Sequence, residues 1–230
     1  MRVVDINALG ASQFADEVWL VDPRARCLDP SSFDRLGLDA NKRAASIRVC
    51  LVAMPGPIQE LERRVAAHRA VGAPAVLRLC PGPGGHGFPL EPWAVSPIPE
   101  YCEREEMSVA VDFADAPLGY HWAEIVRFAR EYPRLPIVAL GSPLSGPTPA
   151  RALDAAPNLI LETSAPGASQ SDQISALVRS HGAYRFAYGS GTAGSAPEVI
   201  ASALGAADKQ IVFSETADQL GNGTWAATHL

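Results

Sequence analysis

Three charged residues stand in or directly after short apolar runs: Arg78 in Ala75–Cys80, Asp112 in Val109–Phe113, and Glu162 after Leu159–Leu161. A guanidinium grips a carboxylate through two parallel N–H bonds, and a carboxylate placed on a water or substrate proton acts as general base. Arg78 with Asp112 or Glu162 therefore supplies the parts for binding a carboxylated small molecule and activating a nucleophile on it. The same three residues can equally satisfy one another as a salt-bridged cluster with no reaction to perform. Other candidates are weaker. Ser142 and Ser190 sit in Gly-rich turns, yet Tyr188-Gly189-Ser190-Gly191 lacks the G-x-S-x-G spacing, and no His occupies a readable partner position. A hydrogen-bonding turn role suits Ser190 better than a nucleophile. Cys80, at a run's end, reads as a packed thiol. His121 opens a helix on the side of the strand ends where a ligand would sit, and His86 rides a Pro/Gly loop. Both read equally well as solvated surface residues. His68 has no partner spacing and reads as a helix-face residue.

Composition narrows the classes. The 230 residues are 47% apolar and 19% charged, enough for one large core and with no linker to divide it. The net charge is −6, and Lys42 and Lys209 are the only lysines, so no basic footprint for nucleic acid exists. Cys27, Cys50, Cys80 and Cys102 show neither C-x-x-C nor paired His spacing, which argues against zinc and for reduced, packed thiols. Asp5 and Asn7 interrupt any signal-peptide core, and no run reaches membrane-spanning length. The expectation is a cytoplasmic protein whose partner is a small molecule rather than nucleic acid or membrane, with a homo-oligomer allowed.

These residues must be held by the elements between them. Apolar strand signals recur at Arg2–Gly10, Val18–Val21, Ile47–Met54, Ala75–Cys80, Val109–Phe113, Ile137–Leu140, Leu159–Leu161 and Tyr184–Tyr188. Helical patterns fall at Pro30–Ala45, Pro57–Val71, Pro97–Glu106, Tyr120–Glu131, a stretch capped by Ser169 or Ser171 and running to about His181, Val199–Ala206 and Ile211–Leu220. In Pro57–Val71, Ile58, Leu61, Val65 and His68 share one face, and Glu60, Glu62, Arg63, Arg64 and Arg69 lie mostly on the other. The Pro81–Gly87 stretch predicts a mobile loop over the strand ends, because its prolines remove the amide donors a phosphate loop needs. Residues 221–230 read as a loosely held tail. About eight alternating units predict a single (β/α)8 TIM-type barrel spanning residues 1–230. An open doubly wound sheet is the alternative, but Asn7-Ala8-Leu9-Gly10 does not match G-x-G-x-x-G.

The phrases at the strand ends resemble the amidohydrolase superfamily, in its amidohydrolase-related branch of decarboxylases and lactonases. The carriers are Asp5-Ile6-Asn7-Ala8-Leu9-Gly10, Ser108–Phe113, Pro136–Gly141, Asn158–Ser164, Arg185–Gly191 and Gln210–Ala217. The resemblance implies a barrel, and it places the family's metal ligands at Asn7, Leu9, Asp112, Gly141 and Gly191. Leucine and glycine offer no ligand atom, so the expectation is no metal and no cofactor. If those positions face inward, strand alternation also turns Asp5, Arg78, Cys80, Ala110, Glu162, Ser164 and Gly189 inward. Arg78, Asp112 and Glu162 then meet near the mouth. On this basis Asp112 and Glu162 are the candidate catalytic residues. Arg78, Asn7, His121, Ser164 and Ser190 are the candidate substrate contacts. Two readings stand: a metal-independent, lactonase-like hydrolase of a small carboxylated substrate, and a non-catalytic relative kept as a binding or oligomeric scaffold.

Overall fold

A computed structural model describes residues 2–8, 15–20, 25, 28–34, 47–112, 120–164, 171–190 and 197–230. Its strands are β1 (Val4–Ala8), β2 (Glu17–Leu20), β3 (Ile47–Val49), β4 (Leu51–Ala53), β5 (Val76–Leu79), β6 (Ser108–Asp112), β7 (Ile137–Leu140), β8 (Leu159–Glu162) and β9 (Phe186–Ala187). Each neighbouring pair within β1–β2–β3 and within β4 through β9 is parallel. β3 and β4 are one run of chain broken at Cys50, whose N–H reaches Leu20 O at 2.9 Å. The two halves count as one position in the ring. Closure comes from Ile6 N–H on Tyr188 O at 3.0 Å, which joins the first strand to the end of the last. Eight strand positions in a closed parallel ring make this a (β/α)8 barrel.

The helices are α1 (Ile58–Arg69), α2 (Pro92–Val95), α3 (Ile98–Arg104), α4 (Tyr120–Glu131), α5 (Thr148–Ala155), α6 (Ser171–His181), α7 (Pro197–Ala201), α8 (Ala206–Gln210), α9 (Thr216–Gly221) and α10 (Trp225–His229). A 3-10 turn over Pro30–Phe33 starts where a helix is expected, with Asp29 capping it by accepting from Ser31 N–H. The rest of that expected helix, and Lys42 and Cys27, lie outside the described residues. A π-helical turn, Ile211–Glu215, bridges α8 and α9. The expected helix Pro97–Glu106 is α3, and the short α2 before it is unexpected. Helix α5 has no counterpart among the expected helices; its first turn, with Pro149, follows directly on the breaker-rich stretch Gly141–Pro147.

Apolar side chains form two shells. Leu77, Leu79, Val109, Val111, Ile137 and Leu159 face the surrounding helices. Val4, Ile6, Cys50, Val76, Ala110 and Val138 fill the barrel. Strands buried on both faces read as continuous apolar runs, which is why they are the clearest elements in the sequence. Below the barrel, buried Asn158 donates through Nδ2 to Ala129 O, Tyr132 O and Leu135 O. Arg185 likewise serves Leu153 O, Ala156 O and Leu159 O. These side chains satisfy carbonyls where α4 and α5 end and at the starts of β7 and β8.

The C-terminal residues differ from the loosely held tail expected of them. Ala75 N–H bonds Gly221 O at 2.8 Å, and fully buried Trp225 joins the barrel's interior cluster. Its indole N–H donates to Tyr184 O at 3.0 Å. Because Ala75 and Tyr184 precede β5 and β9, α9 and α10 form the floor of the barrel at its amino-terminal end.

Candidate active site at the carboxyl ends of the strands

Arg78 and Asp112 lie on adjacent strands. The register pairs Arg78 with Ala110, so Asp112, two residues further, points to the same face. Arg78 Nε and Nη2 both donate to Asp112 Oδ2, at 3.1 and 2.5 Å. The pair is buried: the arginine is 2% exposed and the aspartate 5%. Burial works against the Arg78 charge, but Asp112, nearby and hydrogen-bonded, outweighs it and raises the guanidinium's pKa. A small apolar void beside Arg78 is lined by Ile6, Trp19, Cys50, Ala110 and Leu140.

Glu162 is held by a different set of donors. Gly141 N–H (2.9 Å) and Ser164 Oγ–H (2.6 Å) both bond Glu162 Oε2, and Ser164 N–H bonds Oε1. Gly141 sits at φ +61°, a left-handed conformation that glycine adopts without strain and that leaves its N–H bonded to this carboxylate. Gly189 is the other requirement, because a Cβ there would fall on the Glu162 carboxylate. A third carboxylate, Asp5, is fully buried and accepts from Ser190 N–H at 3.0 Å, bracing the seam between β1 and β9. Tyr188, also buried, has its phenol pKa pushed up by burial and by the charges of Asp5 and Glu162.

Arg78 and Asp112 thus form a guanidinium pair, and Glu162 is cradled by Gly141 and Ser164. Inward alternation holds for Arg78, Cys80 and Ala110, which line the interior, but not for Asp5. In β1 it is Val4 and Ile6 that fill the barrel, so Asp5 takes the opposite face, and the register shifts before Ala8. Gly141 is out of phase in the same way, since Val138 and Leu140 point in. Ser164 is buried against Glu162, and Ser190 is buried with its backbone on Asp5. His121 is buried in the first turn of α4 beside Trp122, ring centroids 5.9 Å apart, rather than solvated. Asn7 belongs to β1, but its side chain is outside the described residues, as are Leu9 and Gly191. Ser142 is buried, and its hydroxyl has no hydrogen-bond partner.

Two further expectations change. The Pro81–Gly87 stretch is tied back on itself: His86 N–H bonds Cys80 O at 2.7 Å, and Gly87 N–H bonds Gly82 O at 2.9 Å. Arg64, placed on the polar face of α1 by periodicity, is buried because it pairs with Asp34. A Ser–His–Asp chain also exists, with Ser180 Oγ 2.8 Å from His181 Nδ1 and His181 Nε2 3.1 Å from Asp154 Oδ1. It lies at the C-terminal end of α6, where exposed carbonyls oppose a developing oxyanion, so it serves as a helix end rather than a catalyst.

Of the five positions where the family resemblance places metal ligands, the side chains of Asn7, Leu9 and Gly191 lie outside the described residues. At the other two, Asp112 Oδ2 already accepts two N–H groups, and Gly141, which follows β7, has no side chain to offer a ligand atom. Among the described residues no group of three or more His, Cys, Asp or Glu could share an ion. Cys50, Cys80 and Cys102 are buried free thiols. Burial pushes Cys50 up to about 12 and raises Cys102 as well. Ellman's reagent at pH 8 is expected to leave both unlabelled in the native protein and to label them after denaturation. Fast native labelling of Cys50 would show that solvent reaches the barrel interior.

No protein-family model matches the chain, and no curated protein does. Among solved structures, the chain is similar to a putative 2-pyrone-4,6-dicarboxylic acid hydrolase from Pseudomonas putida, with 18% identity over 96% of this chain and 98% of the other and a TM-score of 0.64. An uncharacterized TIM-barrel protein from Bordetella bronchiseptica aligns at 14% identity over 91% and 79%, TM-score 0.63. The 5-carboxyvanillate decarboxylase of Sphingomonas paucimobilis aligns at 13% over 90% and 79%, TM-score 0.60. Likeness at such identities speaks for the fold, and it agrees with the closed ring of strands. No helix among the described residues is long and apolar enough to cross a membrane.

Proposed function

We propose that the chain is one amidohydrolase-related barrel domain that binds a small carboxylated molecule at its carboxyl-terminal mouth and hydrolyses it without a metal ion. The observation that carries this reading is the buried Arg78–Asp112 pair in an otherwise apolar barrel. A buried ion pair rarely adds stability over apolar side chains of similar volume, so stability does not explain its presence. A ligand carboxylate would take the place of Asp112 on the guanidinium. The released Asp112 would then take a proton from water as general base, while Glu162 holds Ser164 and Gly141 in place. Two of the similar structures carry names with carboxylated substrates, a dicarboxylic acid and a carboxyvanillate, which suits this choice of ligand. The free buried thiols suit a reducing, cytoplasmic setting.

A thermal-shift screen with small carboxylic acids and lactones, followed by hydrolysis assays on the hits, tests the reading. Asp112→Asn is expected to keep binding and lose about a hundredfold or more in turnover. Unchanged turnover would remove Asp112 from the mechanism, and near one equivalent of zinc or manganese in the purified protein would overturn metal independence. One observation favours a second reading, a binding protein without catalysis. Both oxygens of Glu162 and Oδ2 of Asp112 are occupied by internal donors. Binding of acids with no turnover of any hit would select it.

A further inference from the structure

Opposite the mouth, a cleft of about 510 Å³ opens at the amino-terminal ends of β6 and β7, beside the floor helix α10. Its volume is that of a small-molecule site rather than of a packing gap. Met107, Pro136 and Ala226 give it an apolar base, and Glu100, Glu103, Glu106, Arg104 and Arg134 stand at its rim. Two backbone features shape it. Glu106 has φ +54°, the one positive value at a non-glycine among the described residues, and strain of this kind gathers at ligand sites. Gly223, at φ +72°, packs so closely on Glu106 O that a Cβ would collide with it.

The charges at the rim do not cancel one another. Arg104 is committed to Glu62 and Glu105, at 3.0 and 3.3 Å, and its guanidinium lies over the Tyr101 ring. Glu100 accepts from Ser96 Oγ–H at 3.2 Å. Among the described residues, the side chains of Glu103, Glu106 and Arg134 have no hydrogen-bond or ion-pair partner. Each alone would be ordinary surface charge, but here they share one cavity with an apolar base. The carboxylates come from α3 and the turn after it, and the guanidinium comes from the turn before β7. We propose that this cleft is a second small-molecule site, independent of the mouth, for an aliphatic ligand with an ammonium group at one end and a carboxylate at the other. The ammonium meets Glu103 and Glu106, the carboxylate meets Arg134, and the methylenes lie on Met107, Pro136 and Ala226. Both end contacts are charge-assisted hydrogen bonds. The Tyr132 phenol nearby registers the same negative field: burial raises its pKa first, and Glu100, Glu131 and Glu103 raise it further. A ligand with only a carboxylate is opposed by three glutamates, and one with only an ammonium forgoes Arg134.

The test follows the amide resonances of Met107, Gly223, Ala226 and Ala227 while the wild-type chain is titrated at constant ionic strength with δ-aminovalerate, n-pentylamine or valerate. Constant ionic strength matters because the chain, at net charge −6, attracts any cation weakly. δ-Aminovalerate is expected to saturate these shifts, n-pentylamine to bind about tenfold more weakly for want of one charge-assisted contact, and valerate to leave them unmoved. Glu103→Gln with Glu106→Gln in one chain should weaken δ-aminovalerate by about tenfold or more, and Arg134→Gln should bring it down to the affinity of n-pentylamine. Unchanged resonances elsewhere show that each variant is folded. Arg78 and Asp112 resonances report the mouth in the same titration, so valerate binding there is read separately. Shifts that drift without saturating, equal shifts with n-pentylamine and valerate, or folded variants that bind as the wild type does would each overturn the site.

Discussion

Arg78→Ala and Asp112→Ala are each expected to lower stability by about 3–5 kcal/mol in denaturant unfolding, because each leaves its partner as an unpaired charge inside the barrel. Arg78→Met with Asp112→Leu in one chain should recover most of that loss, since the void beside Arg78 is bounded by Ile6, Trp19, Ala110 and Leu140. The contrast between single and double variants measures the coupling of the pair directly. It also bears on function. A double variant as stable as the wild type but unable to bind carboxylic acids would show that the pair is kept for its ligand. Single variants that unfold near the wild-type midpoint would mean that water reaches the pair, contrary to its burial.

Gly189→Ala has the next largest expected effect, a loss of about 2–3 kcal/mol, through overpacking of the Glu162 carboxylate. Glu162→Ala in the same chain removes the obstruction, so the double variant should be more stable than Gly189→Ala alone. Unfolding midpoints of the four proteins read this cycle. Additive losses would show that the strain lies elsewhere in the β9 turn. The glutamate's position depends on three donors and on the missing side chain opposite, so even a methyl group displaces it.

The parts of the molecule legible in its sequence are those with a repeating signal. Ile137–Leu140 and Leu159–Leu161 stand out because burial on both faces removes polar residues altogether, and their spacing predicts the barrel. Arg78 and Asp112 are legible as partners because strand alternation fixes the face of each. The Glu162 cradle is not, since it includes backbone N–H groups of Gly141 and Ser164, which no residue type announces. The one clue is Gly189, a side chain missing where a strand ends. Alternation phased from Asn7 turns Asp5 to the wrong face, and the register shift in β1 before Ala8 leaves no mark in composition. Periodicity sorts Arg64 to the polar face of α1, and its partner Asp34 lies 30 residues away in sequence. Trp225 stands alone among small and polar residues, so nothing periodic points to its burial.

The floor of the barrel has a consequence for how the protein is made. The first strand is sealed against Tyr188, and the interior beneath Val4 and Ile6 is closed by Trp225, more than two hundred residues further along the chain. A nascent chain thus emerges with its opening strand long before either counterpart has been synthesised. Contacts this distant in sequence are slow to form, because the whole intervening loop must be ordered first. Until the last helix leaves the ribosome, the inner faces of β1 through β9 remain open to water, and to any chaperone that recognises apolar strands.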